Sequence, residues 1–205
     1  FGYLDAKQAK VAGIDCLLLR IGFVGEVGYE IHCASAHGRA LWDALTEAGN
    51  DLGIRAFGLE PQRILRLQKQ HILVGQDTDS ESTPWNAALP WIVKLDKPQQ
   101  FIGRWALEHL EEREPAGVLV GFRVPGGQVP TEGSVVLDRP GGMPAGQVTS
   151  SRRSPKLGES IGLATVPPAL AAEDGRIHIS DAGSTFEAVV TTKPFYDPEG
   201  SVLRS

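Results

Sequence analysis

The sequence predicts an α+β protein, with a mixed α/β portion over residues 1–113 and a small all-β domain over 114–205. Three observations lead there. Apolar residues recur at helical spacing only ahead of Glu114-Pro115, in the stretches 35–49, 60–68 and 101–113. Extended apolar runs precede those stretches. Beyond Glu114-Pro115 no helix is predicted, and six short β-branched runs alternate with Gly and Pro, the pattern of a barrel or sandwich.

Residues 11–21 and 29–33 read as the strands of a β-hairpin joined by a glycine-rich connection over 22–28. Because side chains alternate along a strand, Tyr29 and Ile31 share one face while Glu30 and His32 share the other. Ser35 is placed as the N-cap of a helix carrying Leu41, Ala44, Leu45 and Ala48, with Gly49 as its stop. A second helix follows over 60–68 with Pro61 at its first position, where a missing amide costs little. A short strand is predicted over 72–74, then a polar loop over 75–84, a tryptophan-containing stretch over 85–95 and a third helix over 101–113. The six runs after the boundary lie at 117–124, 134–137, 145–150, 160–166, 176–179 and 184–192.

With 205 residues, 41% hydrophobic and 22% charged, the chain has the composition of a folded globular protein. A formal net charge of -5 disfavours nucleic-acid partners, since phosphate backbones attract basic surfaces. No run approaches the roughly 20 apolar residues of a membrane span, so no membrane association is expected and a cytoplasmic location is the default. Cys16 and Cys33 sit in apolar runs without metal-ligand spacing and are expected as buried thiols. His32, His37, His71, His109 and His178 are scattered, and no metal site is expected. The chain opens on Phe1-Gly2-Tyr3-Leu4, which reads as the continuation of a longer sequence.

Phosphate loops, dinucleotide fingerprints and nucleophile elbows are all missing. A colinear series of motifs says more. Gly25-Glu26-Val27-Gly28-Tyr29-Glu30-Ile31 leads into Leu41-Trp42-Asp43-Ala44-Leu45, then Phe57-Gly58-Leu59-Glu60, Leu65-Arg66-Leu67, Gly75-Gln76-Asp77-Thr78-Asp79 and Thr83-Pro84. The stretch 91–94, Phe101-Ile102-Gly103-Arg104, Ala106-Leu107, Gly146-Gln147-Val148-Thr149-Ser150 and Leu157-Gly158 continue the order. Together they resemble the aminomethyltransferase family of the glycine cleavage T-protein over nearly the whole chain.

Within that family, Gly75 to Asp79 and Pro194-Phe195-Tyr196-Asp197-Pro198-Glu199-Gly200 look most like the folate-binding part of sarcosine oxidase alpha subunits and dimethylglycine dehydrogenases. Plain glycine-cleavage aminomethyltransferase is the nearest competitor. The resemblance implies that residues 1–113 are the carboxyl-terminal portion of a folate-binding domain and 114–205 a β-barrel domain. It implies tetrahydrofolate as cofactor and a small amine as one-carbon donor. It places Glu30 against the pterin, whose donor edge a carboxylate can meet with two parallel hydrogen bonds. The ordinary alternative for Glu30 is a solvent-facing strand residue.

By the same resemblance Trp91 walls the folate, the alternative being a core tryptophan. Phe23 replaces a tyrosine common in the first motif, which removes its hydroxyl. Arg66 is the remaining cationic candidate, with a structural tie to an acid such as Glu60 as its alternative. Gln62, Arg63 and Gln68 depart from the family's Ala-Arg-Asp-x-Leu-Arg-Leu-Glu pattern and put in doubt a ligand contact from the first arginine. Arg152 and Arg153 are placed either against a polyglutamate tail or in a solvated loop.

No catalytic residue is assigned. The family's aspartate belongs to an amino-terminal half without a counterpart here, and Asp5 lies too early to replace it. The expectation is weak or absent folate binding and no transfer by this chain alone. Two other readings stand beside it: a non-catalytic module docking on a partner subunit or on the missing amino-terminal half, and a folate-dependent demethylase of the same fold.

Overall fold

The computed structural model describes residues 1–205, the side chain of Glu111 excepted. The chain divides into two compact units, Phe1–Lys69 with Tyr196–Ser205, and Gln70–Phe195.

The first unit contains an antiparallel three-stranded sheet of β1 (Ala6–Val11), β2 (Ile14–Leu19) and β3 (Glu30–Cys33), in that order. The sequence predicts two strands here, and the structure corrects this to three. The apolar run 11–21 is broken at Ala12-Gly13, whose φ angles of 49° and 80° make the tight turn between β1 and β2. Two consecutive positive φ values match the right-handed twist of hairpin strands. Alanine at the first of these positions is a weak turn signal, and β1 itself, Ala-Lys-Gln-Ala-Lys-Val, has little β propensity. It is held by pairing with β2 along its full length.

Helix α1 (Gly38–Gly49) begins later than predicted, because Ser35–His37 form a 3-10 turn and no side chain caps the helix. Gly49 is its last residue, and the stop falls at Gly53, left-handed at φ 74° after a further 3-10 turn. Helix α2 (Leu59–Gln68) has Pro61 at its third position rather than its first, still within the turn whose amides lack intrahelical partners. At the chain end Ser201–Arg204 form a four-residue helix, too short for periodicity to signal.

In the second unit the predicted strand 72–74 is absent. A tight turn takes its place, with one isolated bridge between Val74 and Thr78. Residues 85–95 form turns and a 3-10 turn at Pro90–Ile92. Helix α3 (Arg104–Glu111) is shorter than predicted, since Gly103 at φ 88° holds the backbone out of the helix.

The six runs after the boundary become β4 (Val118–Val124), β5 (Val135–Leu137), β6 (Pro144–Ser154), β7 (Glu159–Val166), β8 (Arg176–Asp181) and β9 (Ser184–Thr191). They close into an antiparallel barrel in the order β4-β7-β6-β5-β8-β9, which settles barrel over sandwich. Closure leaves no strand edge free, and the alternating inward residues supply the core. Phe122, Val124, Val136, Val148, Ile177, Ile179 and Val190 are fully or almost fully buried there. Gly162 lies opposite Phe122, and a Cβ at that position would collide with the Phe122 ring. Ala182-Gly183, with φ of 47° and 81°, repeats between β8 and β9 the turn made by Ala12-Gly13.

Candidate functional site

In the first unit, register decides what Glu30 presents. Glu30 pairs with Leu19 and His32 with Leu17, so both lie on one face of β3, while Ile31 and Cys33 lie on the other. Both polar side chains are about half exposed, and His32 Nε2 stands 3.1 Å from Glu30 Oε2. A carboxylate has roughly four lone-pair sites, so this contact leaves capacity for an external donor pair.

The glycine-rich connection before β3 is more than a turn. A Cβ at Gly25 would strike the Lys69 side chain, one at Gly22 the Leu203 side chain, and one at Gly28 would come within 2.8 Å of the Ile21 carbonyl. Three glycines let the segment fold on itself. Phe23, within it, is half-buried.

Beneath the connection lies Arg20, which sequence inspection passes over. It is buried, donates to the carbonyls of Gly28 at 3.4 Å, Leu203 at 3.3 Å and Ser205 at 2.7 Å, and stacks 5.1 Å from the Tyr29 ring centroid. Its guanidinium fixes the start of β3 against the last residues of the chain. Lys69 does similar work: its buried ammonium donates to the Asp197 main-chain carbonyl and lies 3.3 Å from Asp197 Oδ2. Hydrogen bonding from the Ser201 hydroxyl, then the Ser201 amide and Lys69, holds the Asp197 carboxyl down to about 2. No signal in a single sequence marks either cation, since their partners are main-chain atoms or lie more than a hundred residues away. Arg66 is 2% exposed, buried inside the unit.

In the second unit Trp91 lies in the middle of the 3-10 turn Pro90–Ile92 and is 67% exposed, so it is not a core tryptophan. Glu30, Phe23 and Arg66 belong to one unit and Trp91 to the other. A separate cleft of about 880 Å³ lies in the second unit, lined by Gln76, Asp77, Asp79, Trp85, Arg113 and Thr149 among others.

The Gly75 to Asp79 motif forms one wall of that cleft, and its polar groups are engaged. Asp77 is buried and accepts from the Leu73 amide at 2.8 Å and from the Thr149 and Ser150 hydroxyls at 2.6 Å each. Gln76 Nε2 donates to the Thr149 carbonyl at 3.0 Å and to Ser150 Oγ at 2.9 Å. The motif thereby ties the turn at residues 73–78 to β6. Asp79 accepts from Ser82 and from the Glu81 amide, which hold its carboxyl below the usual range. Arg152 pairs with Glu132 at 2.7 Å and Arg153 donates to the Gly158 carbonyl at 3.2 Å. Among the described residues no group of three or more His, Cys, Asp or Glu side chains could hold a metal ion, and no helix is long and apolar enough to cross a membrane.

Residues 1–97 match the family model described as the GCVT N-terminal domain, and residues 118–197 match the glycine cleavage T-protein C-terminal barrel domain. The chain belongs to the glycine cleavage T-protein family. An aminomethyltransferase from Saccharopolyspora erythraea is 36% identical over 194 residues, which make up 95% of this chain and 53% of the relative. One from Thermotoga maritima is 34% identical over 202 residues, 98% of this chain and 54% of the relative. The crystal structure of glycine cleavage system aminomethyltransferase T from Bartonella henselae superposes with a TM-score of 0.85 at 28% identity, covering 97% of this chain and 54% of that one. This member of the glycine cleavage T-protein family thus spans about half the length of the relatives it matches.

Proposed function

We propose that this chain contributes the tetrahydrofolate-holding portion of an aminomethyltransferase, with Glu30 gripping the pterin. The observation that carries the reading is the β2–β3 register, which sets the Glu30 carboxylate on the exposed face of the sheet in a chain of this family. An exposed carboxylate with lone pairs to spare fits the paired donors of a pterin edge, and two parallel charge-assisted bonds fix orientation as well as affinity. Folate, when bound, supplies the acceptor nitrogens for a one-carbon unit. This chain's own residues in the first unit would orient it: Glu30 by hydrogen bonding and the ring of Phe23 by apolar contact, while buried Arg66 supports that unit from within. The transfer reaction is proposed for the family's full length, of which this chain spans about half. A donor amine of the sarcosine or dimethylglycine kind rests on the resemblance of Gly75 to Asp79 and Pro194 to Gly200 alone.

Calorimetric titration with tetrahydrofolate tests the reading, on this chain and on a fusion placing the amino-terminal half of the Thermotoga maritima relative ahead of Phe1. The fusion is expected to release heat that Glu30→Ala reduces at least tenfold in affinity, about the 1.5–3 kcal/mol of a charged hydrogen bond. Equal heats from the fusion and its E30A variant would remove Glu30 from the site.

One observation favours a second reading, an interaction module. Ile102 is fully exposed, and Trp105 is 72% exposed, both on the same segment of the second unit. Solvent-facing aromatic and branched side chains of this size mark association surfaces when they cluster. Light scattering after size exclusion checks it, and a clean monomer across a hundredfold concentration range would count against it.

A further inference from the structure

The geometry points to an oxidative modification site independent of folate: Cys16 and Cys33 are a cross-strand dithiol that a hydroperoxide converts to a disulfide. Cys16 on β2 pairs directly with Cys33 on β3. Residues directly opposite in an antiparallel pair share a face and have Cα atoms about 4.5–5.5 Å apart. A disulfide spans Cα separations of about 4.4–6.8 Å, a range that includes the spacing of directly opposed strand residues. Both cysteines are free thiols. They lie 17 positions apart in sequence, and only the sheet brings them together.

Their environments differ in a way that gives the two sulfurs different tasks. Cys16 is buried, 6% exposed, and its Sγ donates a single weak bond to the Ile14 carbonyl at 3.4 Å. Cys33 is half-buried and reachable from solvent. On the other side of Cys16 the row continues to Ala9. A shallow cleft of about 470 Å³, bounded by Gln8, Lys10, Asp15 and Leu17, reaches Cys16 from that side.

The chemistry balances with hydrogen peroxide as the oxidant. The Cys33 thiolate attacks one peroxide oxygen, the O–O bond breaks, and hydroxide leaves to be protonated to water, giving a sulfenic acid on Cys33. Cys16 then attacks the Cys33 sulfur, the S–O bond breaks, and the second oxygen leaves as water with the proton from Cys16. Two thiols and one peroxide become one disulfide and two waters. Burial of Cys16 shelters the resolving thiol, while its position opposite Cys33 makes the second step intramolecular. The bond closes residues 16–33 into a loop, which fixes β3, and with it Glu30, to β2.

Reduced protein freed of thiol reagents and treated with hydrogen peroxide under native conditions provides the test. The expected products are a mass lower by two hydrogens, a Cys16–Cys33 linked peptide in a non-reduced digest, and loss of both titratable thiols, all reversed by dithiothreitol. Cys16→Ser should instead leave Cys33 as a sulfenic acid that dimedone traps. Retention of both thiols would overturn the proposal, as would accumulation of sulfinic acid on Cys33 in the wild-type chain or a disulfide formed only between molecules. The peptide map of the unaltered chain decides the matter even where a serine variant folds poorly.

Discussion

Replacing Asp77 by alanine removes the acceptor for three hydrogen bonds at once, from the Leu73 amide and from the Thr149 and Ser150 hydroxyls. The carboxylate is 5% exposed, so solvent cannot take over those donors. Hydrogen bonds to a charged group are worth about 1.5–3 kcal/mol each, and because the three share one acceptor they do not add fully. The expected loss for Asp77→Ala is about 3–5 kcal/mol. Asp77→Asn keeps one oxygen for the Leu73 amide, and the two hydroxyls can rotate to accept from the new amide, so its loss should be nearer 1–2 kcal/mol. Guanidinium unfolding followed by tryptophan emission measures both. Trp85, Trp91 and Trp105 lie in the same unit as Asp77, so a Trp42→Phe background removes the signal of the other unit. With a slope of about 3 kcal/mol per molar, the alanine variant should shift the midpoint down by about 1–1.7 M. Equal midpoints for the alanine and asparagine variants, or a shift below about 0.2 M for the former, would refute the claim that this motif is a clamp on β6.

Other substitutions probe separate parts of the molecule. The Asp197 carboxyl is held at about 2 against an ordinary value near 3.8, so its contribution to stability is fully present above about pH 4 and is lost as pH falls toward 2. Thermal unfolding of the wild type and Asp197→Asn should show a gap at pH 6 that narrows on acidification, and a gap constant from pH 6 to 2 would be the contrary result. Gly162→Ala adds a methyl where the Phe122 ring and the Ser150 carbonyl already stand, and overpacking of this kind costs about 1–3 kcal/mol by denaturant unfolding. Arg20→Met keeps an unbranched stem but leaves the Leu203 and Ser205 carbonyls without their donor, which should raise hydrogen exchange in the last five residues at least tenfold.

Much of the second unit could be read before any coordinates. Its strands alternate or run apolar between Gly and Pro, and short inward-facing residues can be satisfied only by pairing with one another, so local pattern and tertiary demand agree. The first sheet was harder to read. β1 has the composition of a helix or loop, and the turn that precedes β2 depends on an alanine at positive φ, a conformation stabilised by the pairing on either side rather than by the residue itself.

The sequence by itself determined the family, the barrel strands and the face of β3 on which Glu30 lies, because motif order and a two-residue period survive without a third dimension. Tertiary structure alone decided that Asp77 is a clamp, that Arg20 and Lys69 anchor the chain end, and that Cys16 meets Cys33. Those roles are made by partners distant in sequence or by main-chain atoms. Neither leaves a mark on the identity of neighbouring residues, so only the folded chain discloses them.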